Sequence, residues 1–218
     1  QKEAMSLEDF LSSISRDLWE ETKDVCALLE KKNFEKLQKI ELDLGGGGDY
    51  RLLYFMVRFL EAENVLETGV AAGWSSQAIL TAMEQNRKGH LYSSDFPYFR
   101  YNKPEQYIGF LVEDHLKERW FLYKEGDQFN LPKIVQDCSK VELFHYDSDK
   151  SYHGRTFALK EISPLLSDNS ILIFDDIQDN FHFRDYVTEH SYNYAVFEFG
   201  GKYVGLTGKR YLDVFQGQ

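Results

Sequence analysis

Proline is scarce, at four residues in 218, and cysteine scarcer still, at two. Few prolines leave long stretches free to form helices and strands. Cys26 and Cys138 are far apart, form no CxxC pair and sit in apolar or helical patterns, which excludes a disulfide framework or a thiolate zinc site and points to buried free thiols in a reducing compartment. Basic residues are also under-represented: 25 lysines and arginines face 36 acidic residues, a net charge of −11 with no basic block, so neither nucleic acid nor an anionic membrane is an expected partner. No apolar run approaches the ~20 residues of a membrane span, and no secretory leader is expected. A cytoplasmic protein with a small-molecule partner is the resulting expectation.

Apolar surface is plentiful. Hydrophobic residues make up 43% of the chain and aromatics 16%, enough for a sizeable core. From Ser6 to about Lys32 the apolar positions recur at helical spacing, with Ser6 and Asp9 as a capping pair and room for one break. A second short helix is expected around Phe34, Leu37 and Ile40. Gly45 to Gly48 follow, four residues without side chains that read as a flexible joint. Residues 1–48 are thus expected to form an N-terminal helical cap or a homodimer contact, and 49–218 the main domain.

After a buried helix over Tyr50–Leu60, short apolar runs alternate with helical segments. The expected strands are Val65–Val70, His90–Phe96, Phe121–Glu125, Val141–Tyr146 and Ser170–Phe174. Strands alternating with helices build a parallel sheet covered on both faces. Tyr194–Phe199 and Lys202–Leu206, separated by Gly200-Gly201, read as an antiparallel hairpin. The expected fold is α/β: a Rossmann-like, doubly wound sheet of about seven strands, mostly parallel, with that hairpin at its end and helices at its N-terminus.

Ligands of such sheets lie at the carboxyl ends of the strands. The first such end is "ETGVAAGWSS", where Gly69 and Gly73 permit close approach to the backbone, Ser75 or Ser76 stands ready to cap the next helix, and Trp74 could pack on a ligand. The spacing is G-x-x-x-G and not the G-x-G-x-x-G of dinucleotide folds, and Glu67 would repel a pyrophosphate while attracting a cationic amino-acid group. Asp95 ends the second strand, where a carboxylate can accept both hydroxyls of a ribose. Gly126 and Asp127 end the third, within reach of an adenine.

Asp147 ends the fourth strand and Asp175-Asp176 the fifth. Three carboxylates on neighbouring strand ends repel one another unless something positive is bound. An all-oxygen ligand set favours Mg²⁺, Ca²⁺ or Mn²⁺ over zinc. Asp149 reads equally well as a helix cap. The segment Phe181, His182, Phe183 and Arg184 and the aromatic loop from Phe96 to Tyr107 are candidate substrate walls.

These motifs, in this order, resemble the class I S-adenosylmethionine-dependent methyltransferases, and most of all the metal-dependent O-methyltransferases of the catechol type and their sugar- and natural-product-modifying relatives. The resemblance spans about residues 50–206. It implies that Glu67, Gly69, Gly73, Trp74, Ser75, Asp95, Gly126, Asp127 and Asp147 hold S-adenosylmethionine, and that Asp147, Asp175 and Asp176 hold Mg²⁺ or another divalent cation. Lys150, in the D-x-x-K spacing of the catechol type, is implied as the catalytic base with a lowered pKa; His153 is the substitute. The sugar-modifying relatives carry histidine where this chain has Lys150. Two other readings stand beside it: a non-catalytic binding domain on the same fold, and a nicotinamide-dependent oxidoreductase, which the missing third glycine and Glu67 disfavour.

Overall fold

A computed structural model describes residues 4–40 and 42–211. Two helices open the chain, α1 (Leu7–Ile14) and α2 (Arg16–Leu37). Ser6 caps α1 by accepting from the Asp9 amide, and Ser15, in extended conformation, ends α1 and caps α2. The helical pattern therefore breaks once, at Ser15. The separate helix expected around Phe34 does not exist, because no glycine or proline interrupts the segment and α2 continues to Leu37.

Then follow α3 (Tyr50–Leu60), β1 (Asn64–Thr68), α4 (Trp74–Asn86), β2 (His90–Ser94), β3 (Trp120–Tyr123), α5 (Asp127–Asp137) and β4 (Val141–Tyr146). The chain closes with α6 (Tyr152–Ile162), β5 (Leu166–Phe174), α7 (His182–Glu189), β6 (Tyr194–Phe199) and β7 (Lys202–Thr207). Among the described residues the strands form one seven-stranded sheet in the order β3-β2-β1-β4-β5-β7-β6. β1 to β5 pair in parallel; β7 runs antiparallel to both β5 and β6. The sheet starts at the centre with β1, winds outward to β3 and returns to β4, so the direction of winding reverses between β1 and β4, where a ligand crevice is expected.

Alternate strand residues feed opposite faces. Val65, Leu91, Leu143 and Ile173 pack with α3 and α4, and Leu11, Trp19, Cys26 and Leu29 of the N-terminal helices join that same core. Leu66, Phe144, Leu172 and Phe174 pack on the other face with α5, α6 and α7. Cys26 and Cys138 are buried free thiols. Among the described residues no helix is long and apolar enough to cross a membrane.

The tetraglycine is not a loose joint throughout. A Cβ on Gly47 would sit 2.5 Å from Trp74 Cβ, and one on Gly48 would sit 2.8 Å from His145 Nε2, whereas Gly45 and Gly46 face open space. The segment before it is tied to the aromatic loop, since Tyr98 donates from its hydroxyl to the Leu44 carbonyl at 2.7 Å and Tyr101 to the Asp43 carbonyl at 2.8 Å. Absence of side chains here serves close packing of a strap over the strand ends.

Candidate active site

Gly69, Asp95, Gly126, Asp127 and Asp147 line one hollow of about 660 Å³ at the carboxyl ends of β1 to β4. Gly69 has φ +83°, and a side chain there would run into the Asp147 carbonyl, so only glycine lets the ends of β1 and β4 meet backbone to backbone. Asp95 spans the first loop: one carboxylate oxygen accepts from the Val70 and Ala71 amides at 2.9 and 2.7 Å, the other from Phe96 at 2.6 Å. Burial outweighs these bonds and lifts its pKa to about 6. Asp127 accepts from the hydroxyls of Ser94 and Ser148, both at 2.5 Å, and burial raises its pKa as well. Ser94 and Ser148 were not legible as site residues, because serines are common in loops and only the fold brings them to one carboxylate.

Four expected ligand contacts lie elsewhere. Glu67 is fully enclosed: one oxygen accepts from Ser76 and Ser93 at 2.6 and 2.9 Å and the other lies 3.6 Å from His145 Nδ1. Its side chain points into the α3/α4 face of the sheet, because odd-numbered residues of β1 face that way, and it does not meet the hollow directly. Ser75 caps nothing; α4 begins after Gly73, whose φ of +97° and lack of a side chain admit the Gly109 backbone. Trp74 is buried in a roof formed with Leu44, Ala72 and Leu111, with Tyr50 stacked on it at 5.5 Å and Phe34 edge-on at 5.4 Å. Gly73 and Trp74 thus shape the roof while Gly69 shapes the hollow.

Beside the hollow, Asp147, Asp175 and Asp176 place carboxylate oxygens within 4.8 Å of one another. The parallel ladder runs past the strand ends to bring them together, with Asp147 donating its amide to the Thr68 carbonyl and Asp175 its amide to the Tyr146 carbonyl, both at 2.9 Å. Burial, and then Asp147, push the Asp175 carboxyl up to about 7. Burial also acts to raise Asp176, but Lys150 and Lys202 outweigh it and hold this carboxyl below its ordinary value.

Lys150 Nζ pairs with Asp147, lies 3.0 Å from Asp176 Oδ2 and 4.0 Å from Asp175 Oδ2. Its expected lowered pKa is corrected: burial does pull it down, but the surrounding carboxylates outweigh burial and raise it. Lys202, which no motif singles out, lies 3.1 Å from Asp176 Oδ1 because β7 returns antiparallel beside β5. His153 lines the hollow with Gly154 and Phe157, on the same wall as Asp147 and Asp149 of the fourth strand end. Ser151, and not Asp149, caps α6; Asp149 accepts from the Ser151 amide at 2.9 Å. His182 and Phe183 are buried against Phe174, while Phe181 and Arg184 stay at the surface and line a separate groove with Gln178 and Tyr203.

The donor set fits a hard divalent cation. All three groups offer oxygen, and two ammonium groups do not fully offset three carboxylates.

The sheet order, the closing antiparallel hairpin and a crevice at the β1/β4 switch define an α/β methyltransferase fold. Residues 66–177, just over half of the 218, match the family described as "Methyltransferase domain", and the chain belongs to that family. No curated protein matches the chain. Among solved structures, an SAH-bound methyltransferase from Podospora anserina is similar with TM-score 0.63 at 12% identity, covering 95% of this chain and 98% of that one. An O-methyltransferase from Bacillus cereus in complex with SAH gives 0.58 at 15% identity, covering 93% and 97%. A TDP-rhamnose 3'-O-methyltransferase of calicheamicin biosynthesis gives 0.56 at 16% identity, covering 72% and 76%. At these identities the likeness is one of fold.

Proposed function

We propose that this chain transfers a methyl group from S-adenosylmethionine to a hydroxyl group of a small molecule, with a divalent cation such as Mg²⁺ bound by Asp147, Asp175 and Asp176. The observation that carries the reading is the acidic trio, with Asp175 and Asp176 buried, Asp147 half-buried and Lys150 in their midst, opening beside the Gly69–Asp95–Asp127 hollow. Asp95 would orient the ribose, Gly126 and Asp127 the adenine, and Gly69 would let the cofactor lie against the backbone. Glu67 would support the first loop through Ser76 instead of touching the ligand. A cation held by the trio would polarise the acceptor hydroxyl and offset the charge that keeps Lys150 protonated.

Lys150 then has two candidate roles. As base it would take the acceptor's proton; as a fixed counter-ion it would keep the carboxylates together, a role its ion pairs favour. Residues 1–48 would serve as the cap over the crevice, a cytoplasmic location is the reading that the two free thiols support, and dimerisation through α1 and α2 stays part of the proposal. The non-catalytic and nicotinamide readings have no observation in their favour.

Titration calorimetry with S-adenosylmethionine and with S-adenosylhomocysteine, each with and without MgCl₂, tests the reading. Binding of both ligands is expected, with Mg²⁺ binding lost in Asp147→Ala. Absence of cofactor binding to the folded protein would sink it.

A further inference from the structure

A cationic side chain outside the trio has no part in the chemistry above and is fully buried. Arg155, in the first turn of α6, is 0% exposed. Its Nη2 donates to two consecutive carbonyls, Asp175 at 3.0 Å and Asp176 at 2.8 Å. Its Nε and Nη1 find no hydrogen-bond partner among the described residues, and its guanidinium carbon lies 5.9 Å from the Tyr146 ring centroid. A buried arginine without a carboxylate partner is a poor means of stabilising a fold, since apolar residues of similar volume commonly do as well or better. Its two bonds show what it does instead.

Neighbouring side chains of a strand point to opposite faces. Asp175 and Asp176 are neighbours, yet both carboxylates join the same cluster. They do so because Asp176 leaves the strand in the left-handed region, with φ +51° and ψ +41°, a conformation uncommon for residues other than glycine although asparagine and aspartate enter it more than most. The turn also brings the carbonyls of Asp175 and Asp176 to one side, where a single Arg155 nitrogen receives both. We infer that Arg155 is a positioning residue: by clamping these carbonyls it holds Asp176 in the left-handed region and so places two adjacent carboxylates on one cation site. The inference deepens the metal-binding reading and rests on it for its function, although the clamp itself has a separate readout.

The test uses the whole 218-residue chain and the variants Arg155→Met, Arg155→Lys and Asp176→Asn, with crystal structures of each, Mn²⁺ titration and S-adenosylhomocysteine titration. In Arg155→Met, residue 176 is expected to leave the left-handed region and Mn²⁺ affinity to fall about tenfold or more. Affinity for S-adenosylhomocysteine, which reads the other end of the crevice, is expected to stay within about twofold. Arg155→Lys keeps one donor and should recover part of the Mn²⁺ affinity. Asparagine adopts the left-handed region more readily than aspartate, so Arg155→Met should cost less when added to Asp176→Asn than to the parent. Should Arg155→Met not fold, Arg155→Lys and its combination with Asp176→Asn carry the comparison. A left-handed residue 176 with both carboxylates in place in the folded Arg155 variants overturns the inference, as does a loss of S-adenosylhomocysteine affinity in proportion to that of Mn²⁺. If the parent protein binds no Mn²⁺, the metal reading fails and the conformation of residue 176 alone decides the role of Arg155.

Discussion

Replacing Asp175 by asparagine should make the metal-free protein more stable while removing one corner of its cation site. The Asp175 side chain is 3% exposed, and burial followed by the Asp147 charge raises its pKa from 3.8 to about 7. At about 1.36 kcal/mol per pKa unit, keeping this carboxylate ionised costs about 4 kcal/mol at pH 8. Asparagine has the same shape, carries no charge and can donate to Asp147. The attraction lost to Lys150, 4.0 Å away, is small beside that, because Lys150 keeps Asp147 and Asp176. The sign of the pH dependence follows from proton counting. Between about pH 4 and pH 7 folded Asp175 holds a proton that the unfolded chain has released, so the parent protein loses stability as pH rises through that window. The advantage of Asp175→Asn should therefore be about 4 kcal/mol at pH 8 and about 2 kcal/mol at pH 5.5. Urea unfolding in EDTA at both pH values measures it, and adding MgCl₂ should stabilise the parent but not the variant. If Asp175→Asn in EDTA at pH 8 is no more stable than the parent, Asp175 is not a strained buried carboxylate and the electrostatic account of the trio is wrong.

Three further outcomes are expected. Gly47→Ala, whose Cβ would meet Trp74 at 2.5 Å, should cost about 1–3 kcal/mol as overpacking does; Gly46→Ala, facing open space, should be neutral or slightly stabilising, and differential scanning fluorimetry separates the two. Asp95→Asn should weaken S-adenosylhomocysteine about tenfold or more by loss of a charged acceptor; equal binding by calorimetry would remove Asp95 from the site. Lys150→Arg tests the base, because arginine stays protonated: a fall in kcat of about a hundredfold or more marks proton transfer, whereas retained turnover marks a counter-ion.

Both kinds of determination are visible in particular residues. Strand and helix identities were readable because period-2 and period-3.6 patterns reflect which face is buried, and β4, β6 and α3 end where the pattern ends. Asp95, Asp127, Asp147 and Asp175-Asp176 were readable as strand-end carboxylates because carboxyl ends of parallel strands share one crevice, whatever the loops between them. Gly69 was readable as a close-approach point, although its contact with the Asp147 carbonyl lies 78 residues downstream and no local pattern names it.

Register, distance and charge balance belong to the tertiary structure. Glu67 sits in a glycine-rich strand-end motif, but the parity of β1 turns it inward to Ser76, Ser93 and His145. Lys202 reaches Asp176 only because β7 is inserted antiparallel between β5 and β6. Lys150 follows Asp147 by three residues in sequence, a spacing that suggests a base; three converging carboxylates raise its pKa instead. The sequence by itself determined the order of elements and the chemical kinds of group at the strand ends, since both are local or periodic properties. Which of those groups meet, and which protonation state each prefers, was decided by packing that joins residues far apart in the chain, because electrostatic energies depend on separations of a few ångströms that no linear pattern encodes.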